Sequence, residues 1–83
     1  MKIKLETLLL LIANAEMEIV IVENHSNKQL CEGNCIVLLM FNGGRAQMYF
    51  NREVRCITTE KWRGVYYPNH QIIIVVEEWE IED

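Results

Sequence analysis

The chain has 83 residues, which is enough for one domain over 1–83 and too few for two. It is 51% hydrophobic and 24% charged with one Pro and four Gly, a composition that folds and that excludes a disordered or linker-rich protein. The net charge of −4 hides a split: residues 1–56 hold six bases and six acids, the stretch 45–67 is basic, and 77–83 carries five acids and no base.

In chain order, the first expected element is a helix over about 5–14. Leu5, Leu8, Leu9 and Ile12 recur at i, i+3, i+4 and i+7, one face of a 3.6-residue period, while Leu10 and Leu11 lie off that stripe. The apolar run is shorter than the ~20 residues a membrane span needs, and a buried amphipathic helix explains it better. Residues 17–23 read as a strand because Ile19, Val20, Ile21 and Val22 are β-branched. A polar cluster at 24–28 makes a turn. Residues 29–41 read as a long second strand, broken by a bulge or bend at Gly33-Asn34, and apolar without alternation beyond it. Asn42-Gly43-Gly44 is a turn signal.

Residues 47–50 form a short strand or a single helical turn. The strand expected over 53–59 places Val54, Cys56 and Thr58 on one face and Arg55, Ile57 and Thr59 on the other. Residues 61–69, with Trp62, Tyr66, Tyr67 and Pro68, read as a hairpin connection. Residues 72–76 are five β-branched positions in succession, a central strand with Ile72, Ile74 and Val76 on one face and Ile73 and Val75 on the other. The fold class is therefore α+β: an N-terminal helix on a bent antiparallel sheet of four to five strands spanning about 17–80, able to curl into a small open barrel. The element order is that of Sm-like barrels, without the glycine and Asp/Asn positions of their RNA sites. An acidic end at 77–83 reads as a solvated tail.

Several of these stretches together resemble a family. Leu5-x-x-Leu8-Leu9, the first β-branched strand, Leu30-x-x-Gly33, Asn51-Arg52-Glu53-Val54-x-x-Ile57 and the Ile/Val-rich last strand are similar to small proteins encoded by phages and mobile elements of Gram-positive bacteria. Asn51 stands where that pattern has Asp, and the 61–70 excursion is longer. The resemblance implies a short accessory protein and no particular activity.

Chemistry has little to stand on in the sequence. No nucleophile elbow, phosphate loop or zincin helix is present, and His25 and His70 fall in turns without an orienting partner, so an enzyme is not expected. Three cysteines cannot all pair within one chain. Cys31 and Cys35, roughly 13 Å apart in an extended strand, do not converge on a metal. They read as core thiols of a cytoplasmic protein, with no metal and no cofactor.

Binding is the stronger expectation. Arg45, Tyr49, Arg55, Trp62, Arg63, Tyr66 and Tyr67 are residue types that stack on bases, pair with phosphate and dominate protein–protein hot spots. Glu77, Glu78, Trp79 and Glu80 form a second candidate surface, able to meet an arginine or to imitate a phosphate backbone. The expected function is that of a non-catalytic phage or mobile-element protein that binds a host protein, with inhibition of a host defence system, as by an anti-CRISPR protein, as its concrete form. The alternatives are a small barrel that binds nucleic acid or a nucleotide, and a structural homo-oligomer without ligand. No membrane partner is expected. A homodimer or higher oligomer is, because both faces of the sheet read as apolar and one short helix covers only one of them.

Overall fold

The computed structural model describes residues 2–12, 16–40 and 46–82. Helix α1 spans Leu5–Ile12, and strands β1, Ile19–Glu23, and β2, Gln29–Gly33, follow. Next come helix α2, Cys35–Met40, and a short 3₁₀ helix, Ala46–Tyr49. Strand β3, Arg52–Thr58, leads into a small hairpin of β4, Lys61–Trp62, and β5, Val65–Tyr66, and then into β6, Ile72–Glu80. The α+β class expected from the sequence holds, and the sheet does not close into a barrel. The expected Asn14 helix end, the Asn42-Gly43-Gly44 turn and Arg45 lie outside the described residues.

The main sheet has the order β2-β1-β6-β3. β1 and β6 take the centre because their unbroken β-branched runs are apolar on both sides; Ile19 to Val22 and Ile73 to Val76 are all fully buried. These two strands run parallel, Ile19 opposite Ile72 and Ile21 opposite Ile74, while both outer pairs are antiparallel. The sheet is thus mixed, with one parallel pair inside an otherwise antiparallel arrangement. The faces of β6 follow the expected alternation: Ile74 and Val76 enter one core and Ile73 and Val75 the other.

The second half of the long strand expected over 29–41 is instead α2. Gly33 has φ +146°, a conformation that favours glycine, and a Cβ there would stand 2.9 Å from Val37 Cγ1. Asn34 then caps the helix: its Oδ1 accepts the Val37 N–H at 2.9 Å and its carbonyl accepts the Leu38 N–H at 2.9 Å. Of the bulge or bend expected at Gly33-Asn34, the break is the bend, a strand-to-helix corner. A continuous apolar run suits a buried helix as well as a buried strand, and here the helix brings Cys35 and Leu38 back over the sheet.

The helix-side core joins Leu5, Leu9, Ile19, Ile21, Cys31, Cys35, Leu38, Ala46, Val54, Ile74 and Val76. The stripe on α1 behaves as its period predicts, with Leu5 and Leu9 buried and Leu8 and Ile12 packed against the core. The start of α1 is tied to β3: Glu6 N–H donates to the Phe50 carbonyl and Val54 N–H to that of Ile3. Cys31 lies in this apolar core, which pushes its thiol up to about 11. Both Cys31 and Cys35 are buried and free.

The opposite core is smaller: Val20, Val22, Tyr67, Ile73 and Val75, flanked by Cys56 and Trp62. The β4–β5 hairpin and the residues after it cover it, so the premise that one sheet face lacks a cover within the chain is corrected. His70 fastens this covering segment to the sheet edge, with Nε2 2.7 Å from Glu32 Oε2. Its Nδ1 is buried with no partner, so Nε2–H is the natural donor to the carboxylate.

Register shifts flank Val54 in β3. Between Val54 and Cys56 the bulge turns Val54 into the helix-side core and Cys56 to the hairpin side. The expected sharing of one face by Val54, Cys56 and Thr58 is thereby corrected. β2 is also shifted between its pairs with Ile21 and Val22. Both edge strands therefore carry an irregularity that disfavours pairing with a foreign strand.

Candidate interaction surface

The β4–β5 hairpin is the most exposed aromatic feature among the expected site residues. Arg63 and Gly64 form its two-residue loop with φ 49° and 83°, the doubly left-handed geometry that matches the twist of a tight hairpin. Arginine at the first of these positions is unfavourable by itself. Its guanidinium supplies a compensating anchor: Nη1 donates to the Asn24 carbonyl at 2.7 Å and Nη2 to Asn24 Oδ1 at 3.0 Å. The same guanidinium lies 5.0 Å from the centre of the Trp62 ring. Trp62 is pinned in turn, its indole N–H donating to Asn27 Oδ1 at 3.1 Å. Tyr67 N–H closes the base of the hairpin on the Glu60 carbonyl at 2.9 Å.

Asn24 is the hub of this anchorage. It is buried, its Nδ2 donates to Glu77 Oε1 at 2.6 Å, and its backbone N–H donates to the Val76 carbonyl. Among the described residues Glu77 is the other buried polar one, so the pair is mutually satisfied inside the fold.

The expected partner-binding residues do not form one surface. Tyr66, 65% exposed, projects from the hairpin with Lys61 Nζ 5.5 Å from its ring centre. Trp62 is half-buried and Arg63 exposed beside it. Tyr67, by contrast, is 9% exposed and belongs to the core under the hairpin, so it is not a contact residue. Tyr49 packs against the helix-side core, where the Arg52 guanidinium lies 4.9 Å from its ring centre. It sits on the other side of the sheet from Trp62. Arg55 is exposed on the β3 bulge.

No family model, curated protein or solved structure matches this chain. The geometry therefore stands by itself.

The acidic end is not a frayed tail, as β6 continues through Glu80. Ile81 N–H donates to the Asn51 carbonyl at 2.8 Å. Glu77 faces inward to Asn24, which removes it from the second candidate surface. Glu78, Trp79 and Glu80 are exposed, and the Trp79 indole N–H donates to Glu53 Oε1 at 3.2 Å. Two arginines of the basic middle are consumed internally. Arg52 Nη1 lies 2.6 Å from Glu23 Oε2, and Arg63 is held by Asn24. Among the described residues Arg55 and Lys61 pair with no carboxylate.

The turn asparagines Asn24 and Asn27 are supports of the hairpin that the sequence does not single out. Their signal was present in the polar cluster at 24–28, but their partners lie more than thirty positions away along the chain. Among the described residues no three His, Cys, Asp or Glu side chains gather as metal ligands, and no helix is long and apolar enough to cross a membrane. Burial raises the Cys56 thiol, against the opposing pull of Arg55 and Arg63, which is the reverse of an activated nucleophile.

Proposed function

We propose that this chain is a non-catalytic binding protein that uses the β4–β5 hairpin as a preorganised recognition element for another protein. The observation that carries this reading is the pairing of exposed side chains, Lys61, Val65 and Tyr66, with a hairpin whose loop end is locked by Arg63–Asn24 and Trp62–Asn27. A rigid aromatic anchor loses little conformational entropy on binding. A protein is favoured over nucleic acid because Arg52 and Arg63 are already engaged and the net charge is −4, whereas phosphate recognition needs free cations.

The family resemblance of the leucine-rich helix and the Asn51-Arg52-Glu53-Val54 strand supports an accessory role in a phage or mobile element. In that setting the partner is a bacterial protein of a defence system and the compartment is the cytoplasm. The working unit is a homodimer, held by a surface other than the hairpin.

Tyr66→Ala combined with Lys61→Glu tests the assignment, because neither side chain anchors the hairpin. The wild-type chain is expected to retain a specific protein from a bacterial lysate and the double variant to lose it at unchanged thermal stability. Equal retention by both sinks the hairpin as the contact. A salt-sensitive gel shift with single-stranded DNA, RNA or a cyclic nucleotide, and no protein retained, establishes the nucleic-acid or nucleotide reading instead.

A further inference from the structure

The helical layer has an outer side that its own core does not use. α1, α2 and the 3₁₀ helix all bury residues toward the same sheet face: Leu5 and Leu9, Cys35 and Leu38, and Ala46. Their opposite sides therefore point away from the sheet. Leu10, Leu11, Ile36, Met40 and Met48 stand there, between 46% and 75% exposed. The only charged side chain on these three elements is Glu6. α2, with the sequence CIVLLM, has no charged residue at all, and a helix apolar all round is normally buried on several sides.

We infer that a second copy of this chain covers this face, helical layer against helical layer. The inference rests on the homodimer proposed above and assigns its surface. Charge decides the occupant. A face with one acid, Glu6, and no base meets its own image with little like-charge repulsion, and twofold pairing requires only self-complementarity. An anionic lipid surface needs lysines or arginines around the apolar face, and these elements carry none while the chain as a whole is at −4.

Size agrees as well. The molecule measures 34 × 27 × 23 Å, so its broadest side as a whole, of which the helical layer forms part, is on the order of the 800 Å² that each partner of a stable pair buries. The competing routes to self-association are disfavoured within the chain. The hairpin covers the other sheet face, and both edge strands are interrupted by register shifts. Met40 and Met48 suit such a contact because their unbranched side chains adapt to a facing surface.

Sedimentation equilibrium across a concentration series tests the inference on the full chain. The wild type is expected at twice the 9.8 kDa chain mass, in an equilibrium that shifts toward monomer on dilution. Leu11→Glu with Met40→Glu is expected to raise the dimer dissociation constant at least about 100-fold with unchanged helical circular dichroism, and Tyr66→Ala to leave it unaltered. Ile36→Lys, a single change on the same face, provides a second variant should the double one unfold. A wild type that stays at the chain mass overturns both the homodimer and its surface. A dimer that persists in the folded helix-face variants overturns the surface alone. Binding of a monomeric wild type to phosphatidylglycerol vesicles, lost in the same variants, assigns the face to lipid and overturns the inference.

Discussion

The two faces of the sheet are closed by different physics. On one, two helices and a 3₁₀ turn bury a broad apolar core around Ile19, Ile21, Ile74 and Val76. On the other, five buried residues lie under a hairpin whose strands are two residues each. A hairpin of that size is not stable alone. It stays because Asn24, Asn27 and Glu60 hold it through side-chain and backbone hydrogen bonds. Apolar burial is spread over many contacts and tolerates local change, whereas a polar anchor is concentrated in a few atoms. The helix face therefore sets the global stability, and the hairpin face sets whether the proposed recognition element is presented.

The widest separation between the faces is expected in thiol chemistry. Cys31, with its pKa near 11, is about one part in a thousand thiolate at pH 8 and lies in the helix-side core. Cys56 flanks the hairpin-side core and is half-buried. Alkylation of the native protein followed by peptide mapping is expected to label Cys56 first and Cys31 only on global unfolding. Simultaneous labelling breaks the contrast.

Next in size is a pair of truncations at adjacent, fully buried positions of β6. Ile74→Ala on the helix face is expected to cost about 4 kcal/mol, and Ile73→Ala under the hairpin about 2–3 kcal/mol, because a small cover settles into a cavity more readily than packed helices do. Urea denaturation measures both, and equal losses remove the asymmetry.

Asn24→Ala is expected to cost about 2 kcal/mol, since it leaves the buried Glu77 carboxylate without its amide donor and frees Arg63. Hydrogen exchange is expected to speed up in β4 and β5 while α1 keeps its protection. Uniform acceleration throughout the chain contradicts a separately held hairpin.

The smallest effect concerns pH. Glu23 is held below its ordinary 4.5 by the hydrogen bond from Ser26 and then by Arg52. Its folded pKa is depressed, so its contribution to stability is complete above the unfolded value and is lost as pH falls through the folded one. Glu23→Gln is expected to flatten the acid limb of the stability curve below about pH 4.5 and to change little at pH 7. An unchanged acid limb shows that the ion pair is idle.

Much of the fold was legible because it depends on local pattern. The α1 stripe, the β-branched runs of β1 and β6 and the hairpin region are written in consecutive residues, and the period of each selects the element. α2 was not legible from its apolar run, which lacks any period. The cap at Asn34 after Gly33 is the feature that separates helix from strand, and the break it marks, legible as a bulge or bend, is the bend.

The candidate surface divides in the same way. Trp62, Arg63 and Tyr66 were marked by composition, and the hairpin does bring them together. Tyr67 is the neighbour of Tyr66 and yet belongs to the core, because alternation along an extended chain sends adjacent side chains to opposite sides. Glu77 belongs inside for a reason no local pattern carries: Asn24, 53 positions away, donates to it. The sequence by itself determined an α+β chain with two strands apolar on both faces, the one at 72–76 central, and a basic, aromatic hairpin region. Tertiary structure alone decided that β1 and β6 run parallel, that Arg52 and Arg63 are spent inside the molecule, and that the uncovered apolar surface lies on the helices instead of the sheet. Each of these depends on contacts between segments far apart in the chain, where pairing geometry and charge partners, rather than local periodicity, set the outcome.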